Sequence, residues 1–240
     1  MLFHAHFTIC FSIRDRALTV SHCQLFAGSR KLAYNWFMPY RSSDKTRQKK
    51  DANRTAMMLA AVQIFAERGY QAATIRDIVK EADVSIGTFY FYFPDKETLF
   101  VHLYEETADF LIHTLQQAAN SRTTFARQVD AILQAYVSIA IFEPAVVELL
   151  LVAGVGTVPA LTAKTASFRE KLILVWQIPL TEAMKKGQVP DQNERRTAEG
   201  LVGAVDQIIL GLLAQPDRED IAAGAVRDMN QFVLRATGHY

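Results

Sequence analysis

With 240 residues, half of them hydrophobic, the chain has material for a small domain plus one larger core. Its formal net charge of +1 excludes overall polycation character, so nucleic-acid binding would have to rest on local charge, and no run approaches the ~18 to 20 apolar residues that span a bilayer. The only cysteines, Cys10 and Cys23, leave the rest of the chain without a disulfide or cysteine-based metal site, and the expectation is a soluble, cytoplasmic protein.

Residues 1–37 read unlike the remainder: a single acid, Asp15, both cysteines, three histidines and no sustained period. The apolar run Phe7 to Ile13 is short and is followed by Arg14-Asp15-Arg16, not by a small-residue cleavage site, which argues against export. His4, His6 and Cys10 lack a supporting ligand pattern, so no metal and no cofactor is expected. Met38-Pro39-Tyr40-Arg41 makes a more natural beginning, so residues 1–37 are expected to be an atypical extension from a start assigned too early; a genuine extension is the alternative. Residues 38–53 form a basic arm. From Arg41 to Arg54 the chain holds Arg41, Lys45, Arg47, Lys49, Lys50 and Arg54 against Asp44 and Asp51 only, which suits phosphate or minor-groove contact; the bland alternative is a solubilising terminus.

A first helix follows, with Met57, Ala61, Ile64 and Phe65 on one apolar face and a stop at Gly69-Tyr70. Thr74 then N-caps a second helix carrying Ile75, Ile78, Val79 and Ala82, with Asp77 placed for a capping box. Asp83 suits a left-handed turn residue, and Ser85 caps a third helix whose first turn holds the small pair Gly87 and Thr88. Phe89 and Phe93 share one face and are assigned to the core, whereas Tyr90, Phe91 and Tyr92 point elsewhere. Asp95 caps a long helix with Lys96 in its first turn, where the helix dipole disfavours a cation unless an anion lies near; a solvated surface lysine is the alternative. Two short helices, a tight turn and a third helix start are the pattern of a DNA-reading helix-turn-helix.

These residues, with Phe65-Ala66-Glu67-Arg68-Gly69-Tyr70 upstream, resemble the N-terminal domain of TetR/AcrR-like transcriptional regulators, and the similarity runs from about Arg54 to Leu103. Asp83, Phe89 and Val79 stand where Gly, Leu and Ala are common in that family. The resemblance implies that Thr74, Tyr90, Tyr92 and Lys96 touch phosphates. It places Arg76, Ser85, Ile86, Gly87, Thr88 and Phe91 at or near base edges, with Arg76 able to bond guanine O6 and N7 together or to remain an ordinary surface arginine.

The long helix from Asp95 carries Leu99, Leu103, Phe110, Leu111 and Leu115 into a second unit. Further helices are expected from about Thr124 to Phe142, Pro144 to Ala153, Pro159 to Lys186, Glu194 to Gln215 and Arg218 to Ala236, punctuated by proline and glycine. The predicted fold is all-α: a three-helix helix-turn-helix DNA-binding domain at 54–98, then a larger helical effector-binding and dimerisation domain at 99–240. The resemblance implies a regulatory pocket among the central helices, with Phe110, His113, Tyr136, Phe142, Trp176 and Gln177 as candidates, each of which could equally be plain core. It also places the last two long helices in a homodimer interface, with the stripe Leu201, Val205, Ile208 and Leu212 flanked by Gly200, Ala204 and Gly211; intramolecular packing is the alternative.

The function expected is a homodimeric, ligand-responsive regulator that binds a double-stranded operator and is released from it by a small, largely apolar effector. The regulator is expected to be a repressor on an inverted-repeat operator; the rival is a helical small-molecule-binding protein, or an enzyme, of the same fold without operator binding. No phosphate loop, nucleophile elbow or His-Glu-x-x-His motif supports an enzyme, and none is expected.

Overall fold

The computed structural model describes residues 45–154 and 156–239. The extension at 1–37, the reassigned start and the first part of the basic arm lie outside the described residues.

Helix α1 spans Lys45–Ala72, so the arm expected ahead of the first helix is already helical from Lys45 onward. Its apolar face buries Met57, Ala61, Ile64 and Phe65 completely or nearly so. The expected stop at Gly69 is a sharp break: φ 71° and ψ 162° lie where a side chain would strain the backbone. The chain then turns through Tyr70, whose ring packs 5.8 Å from Phe65 and 4.7 Å from Phe100.

Helices α2 (Ile75–Glu81) and α3 (Ile86–Tyr92) pack on α1, and α4 (Lys96–Asn120) leaves this cluster to lie against α5 (Phe125–Phe142) and α7 (Thr162–Lys185). α5 is the most deeply embedded helix, burying nine residues and touching α4, α7, α8 (Glu194–Leu213) and α9 (Arg218–Ala236). Between α5 and α7, Glu143-Pro144 bends the chain by 104° into the short helix α6 (Pro144–Glu148). α6 runs on into a π-helical turn, Leu149–Ala153. That turn packs on both α1 and α4, which makes it a bridge between the N-terminal helices and the larger core. No strand occurs among the described residues. Nor is any single helix there long and apolar enough to cross a membrane.

Candidate DNA-reading face and effector cavity

The caps read from the sequence form as expected. Thr74 accepts from the Asp77 amide at 3.2 Å while Asp77 Oδ2 accepts from the Thr74 amide at 3.1 Å, a complete capping box. Asp83 takes φ 53°, and Ser85 accepts from the Thr88 amide at 3.0 Å. With the turn set this way, Phe89 and Phe93 are buried while Ile86, Tyr90 and Phe91 stand 46%, 54% and 66% exposed. Burying so much apolar surface elsewhere in the chain makes three exposed large side chains on one seven-residue helix a feature to be explained. Arg76, on α2, is exposed and makes no ion pair with any described residue. A Cβ at Gly87 would meet nothing closer than Ser85 Oγ at 3.8 Å, so the chain's own packing does not require glycine there. Its small size matters only to something approaching from outside.

Five of the expected contact residues are engaged or partly covered within the chain. The Thr74 hydroxyl donates to Asp77 Oδ2 at 2.6 Å, so its proton is not free for a phosphate; that bond, with Arg68 beyond it, holds the Asp77 carboxyl below the usual range. The Ser85 and Thr88 hydroxyls share a 2.8 Å hydrogen bond with each other. Tyr92 does not point fully outward: it is half-buried, packed on the core edge with its ring 5.0 Å from Phe91. Lys96 is neither solvated nor turned to an external anion. Its Nζ donates to the Tyr70 carbonyl at 2.6 Å and the Ala73 carbonyl at 2.8 Å and lies 4.2 Å from the Tyr70 ring centre. The carbonyls of the last turn of α1 and of the residue just beyond it receive the ammonium, and burial draws the lysine's pKa down. Arg54, the last cation of the basic run, is likewise turned inward, pairing with Glu106 of α4 and lying 6.0 Å from the Phe93 ring. Arg47 lies in α1, ahead of the residues whose side chains are described.

The larger core holds polar atoms with no partner. Tyr104 Oη, Thr107 Oγ1, Trp176 Nε1 and Gln177 Oε1 are buried without a hydrogen bond, an arrangement that stabilises nothing by itself. Burial raises the Tyr104 phenol. Tyr136 is wholly buried and its hydroxyl donates to Asp206 Oδ1 at 3.0 Å. Burial pushes the Asp206 carboxyl up to about 6, against the opposing pull of that bond and of Arg169 at 3.6 Å. Between α4 and α7 a cleft of only about 50 Å³ is floored by Tyr104 and Phe168. Its rim carries two cross-helix ion pairs, Lys164 with Glu105 and Lys171 with Asp109, the latter at 2.7 Å. Of the expected effector contacts, Tyr136 and Trp176 are buried and Gln177, Phe110 and Phe142 half-buried. His113 is exposed on the outer face of α4, 3.3 Å from Gln117 Nε2, and so does not line the interior. No cluster of three or more His, Cys, Asp or Glu side chains fit for a metal occurs among the described residues.

Residues 58–103 match the family model described as bacterial regulatory proteins, tetR family. The fold agrees over most of the chain: the fatty acid degradation regulator FadR of Bacillus halodurans superposes with a TM-score of 0.71 at 19% identity, covering 83% of this chain and all of that one. Residues 58–103 therefore carry the N-terminal domain of the tetR family of bacterial regulators. Its sequence is also 23% identical over 177 residues to the fatty acid metabolism regulator protein of Bacillus subtilis, spanning 68% of this chain and 85% of that protein. The B. subtilis FadR solved with stearoyl-CoA has a TM-score of 0.64 at 18% identity, covering 72% of this chain and 96% of that one. Other curated relatives are matched over only 24% to 41% of their own length.

In the helices beyond this domain the expected dimer stripe splits in two. Leu201, Val205 and Leu212 are buried in the protomer's own core, at 3%, 0% and 5% exposure, so they face inward and not toward a partner. Gly200, Ala204, Ile208 and Gly211 lie on the open side, where a Cβ at either glycine would meet nothing within 4 Å. Exposed Leu174 and Ile178 of α7, and Ile221 and Phe232 of α9, add apolar surface to the protomer's exterior. The sequence reading also missed Tyr104, Thr107, Arg169 and Asp206. One signal was present: Asp206 sits in helical register with Val202, Val205 and Ile209, an acid inside an apolar stripe.

Proposed function

We propose that this chain is a homodimeric repressor that binds an inverted-repeat operator and is released from it by a long-chain acyl effector, an acyl-CoA above all. Residues 54–98 serve as the DNA-reading unit and 99–240 as the effector-binding and dimerisation unit. The single observation carrying the DNA reading is the exposed set Ile86, Gly87, Tyr90 and Phe91, with an unpaired Arg76 on α2, a groove-facing surface that the protomer leaves uncovered. Dimerisation through the open sides of α8 and α9 would set two such faces about one DNA turn apart, roughly 34 to 36 Å.

The acyl effector is supported by the stearoyl-CoA held by the B. subtilis relative and by this chain's own interior, apolar with scattered unpaired donors and acceptors. A cleft of about 50 Å³ is far below the roughly 300 to 1,000 Å³ of an ordinary ligand pocket. An acyl chain would therefore have to enter by parting α4 from α7. Lys164 and Lys171 at the rim would then exchange their carboxylates for effector phosphates. Release follows only because the effector binds the open conformation more tightly than the closed one.

The test is selection of duplexes from a random library by the full chain, followed by gel-shift titration with stearoyl-CoA. A salt-sensitive, sequence-specific complex dissociated by stearoyl-CoA is expected, and Arg76→Ala should weaken it about tenfold or more while relaxing one base position. Absence of any enriched duplex would defeat the DNA reading; an enriched duplex indifferent to stearoyl-CoA would defeat the acyl effector alone.

A further inference from the structure

We propose that Lys96 is a positioning residue, not a phosphate ligand: its ammonium locks the first turn of α4 to the last turn of α1 and to the residue before the cap of α2, and so determines where α2 and α3 present their reading face. Three observations converge on it. The ammonium is held by two backbone carbonyls, Tyr70 at 2.6 Å and Ala73 at 2.8 Å, and lies 4.2 Å from the Tyr70 ring centre, so most of its coordination shell is filled from within the chain. The Tyr70 ring is itself fixed, with Phe65 of α1 at 5.8 Å and Phe100 of α4 at 4.7 Å. The gripped segment is also the sensitive one. It begins just after the break at Gly69, and the Ala73 carbonyl immediately precedes Thr74, the cap from which α2 starts.

The consequence is mechanical. α4 carries Tyr104 two turns beyond Lys96, at the floor of the cleft between α4 and α7. A shift of α4 that opens this cleft moves Lys96, and Lys96 moves the start of α2 through two charge-assisted hydrogen bonds. A solvated lysine or one bonded only to DNA would not transmit that motion. Arg54 pairing with Glu106 ties α1 to α4 on its own account, so Lys96 is the grip that acts specifically on the α1–α2 junction.

Lys96→Met in the full chain keeps the stem and removes the grip. The probes are an operator duplex selected by the parent chain and a random duplex of equal length. The specificity ratio between them should fall about tenfold, with the slope of log affinity against log salt unchanged. Amide hydrogen exchange across Ile75–Glu81 should quicken by a similar factor. A slope reduced by about one with both duplexes weakened equally would mean a lost phosphate contact and would overturn the proposal. So would unchanged exchange across α2. Should the methionine variant not fold, Tyr70→Leu removes the ring beside the ammonium without altering the reading face; a drop in specificity ratio is expected, and an unchanged ratio would overturn the clamp. The proposal leans on the DNA-binding reading only for the duplex measurements. If no duplex is selected at all, that reading fails while hydrogen exchange still decides the role of Lys96.

Discussion

Adding one methyl group at Gly154 probes the seam between the α4–α7 cleft and the π-helical turn. A Cβ there would stand 2.3 Å from Tyr104 Cε2, 2.7 Å from Cδ2 and 3.0 Å from the Leu149 carbonyl oxygen. Carbon atoms pack best at about 3.5 to 4.0 Å, so the ring would have to retreat by roughly 1 Å or more. It has little room to do so, being 1% exposed and edge-on to Phe168 at 6.2 Å. Overpacking of this kind costs about 1 to 3 kcal/mol. Gly154 has ordinary helical angles, φ −76° and ψ −20°, so alanine recovers about 0.4 to 1 kcal/mol by restricting the unfolded chain. The net expectation for Gly154→Ala is destabilisation of up to about 2.6 kcal/mol, or a melting temperature lower by up to about 10 °C for a chain of this size. Circular-dichroism melts of four proteins, parent, Gly154→Ala, Tyr104→Ala and the double variant, isolate the clash. The double variant should be more stable than the sum of its parts by about 1 kcal/mol, because shrinking the ring makes space for the methyl. A Gly154→Ala protein that melts higher than the parent, or strict additivity in the cycle, would refute the packing argument.

Two further outcomes follow from the same geometry. Asp206 has its carboxyl raised from 3.8 to about 6, so between those pH values the folded chain holds a proton there that the unfolded chain has released; the contribution of this group to stability is fullest below about pH 4 and is lost as pH rises through 6. Asp206→Asn removes this loss, and its melting temperature relative to the parent should climb from pH 4 to pH 7, with ~3 kcal/mol as the ceiling for a two-unit shift; a difference that does not vary with pH would refute the assignment. Ile208 and Phe232 are 38% and 44% exposed in the protomer, so Ile208→Glu with Phe232→Glu should leave the helical content intact. Sedimentation should shift from a dimer to the 27.0 kDa single chain, and an unchanged dimer would place the interface elsewhere.

What was legible in the sequence was whatever is decided within four or five residues along the chain. Thr74 with Asp77, the left-handed Asp83, Ser85 with Thr88 and Asp95 with Thr98 are caps and turns whose partners are near neighbours, and each forms as the residue types predict. Helix limits followed from the same short-range chemistry, as did the inward pair Phe89 and Phe93 and the outward Tyr90 and Phe91. Periodicity also marked α8 as having one apolar stripe.

What periodicity could not say is which neighbour covers a stripe. Leu201, Val205 and Leu212 are satisfied inside the protomer, and only the small-residue side of α8 remains open, because packing against α7 and α9 uses the more apolar face first. His113 sits on the same helix as buried Leu111 and Ile112 yet faces outward, since rotation about α4 is set by α5 and α7. The decisive polar contacts are long-range: Lys96 reaches back to Tyr70 and Ala73, 26 and 23 residues away, Arg54 to Glu106 across 52, and Tyr136 to Asp206 across 70. Residue types alone established that this chain builds a helix-turn-helix with a DNA-reading pattern on a helical scaffold. Only the folded chain decided which cations are spent internally, which apolar face stays open and where the buried polar atoms await a partner, because those outcomes depend on distances between helices that local sequence does not encode.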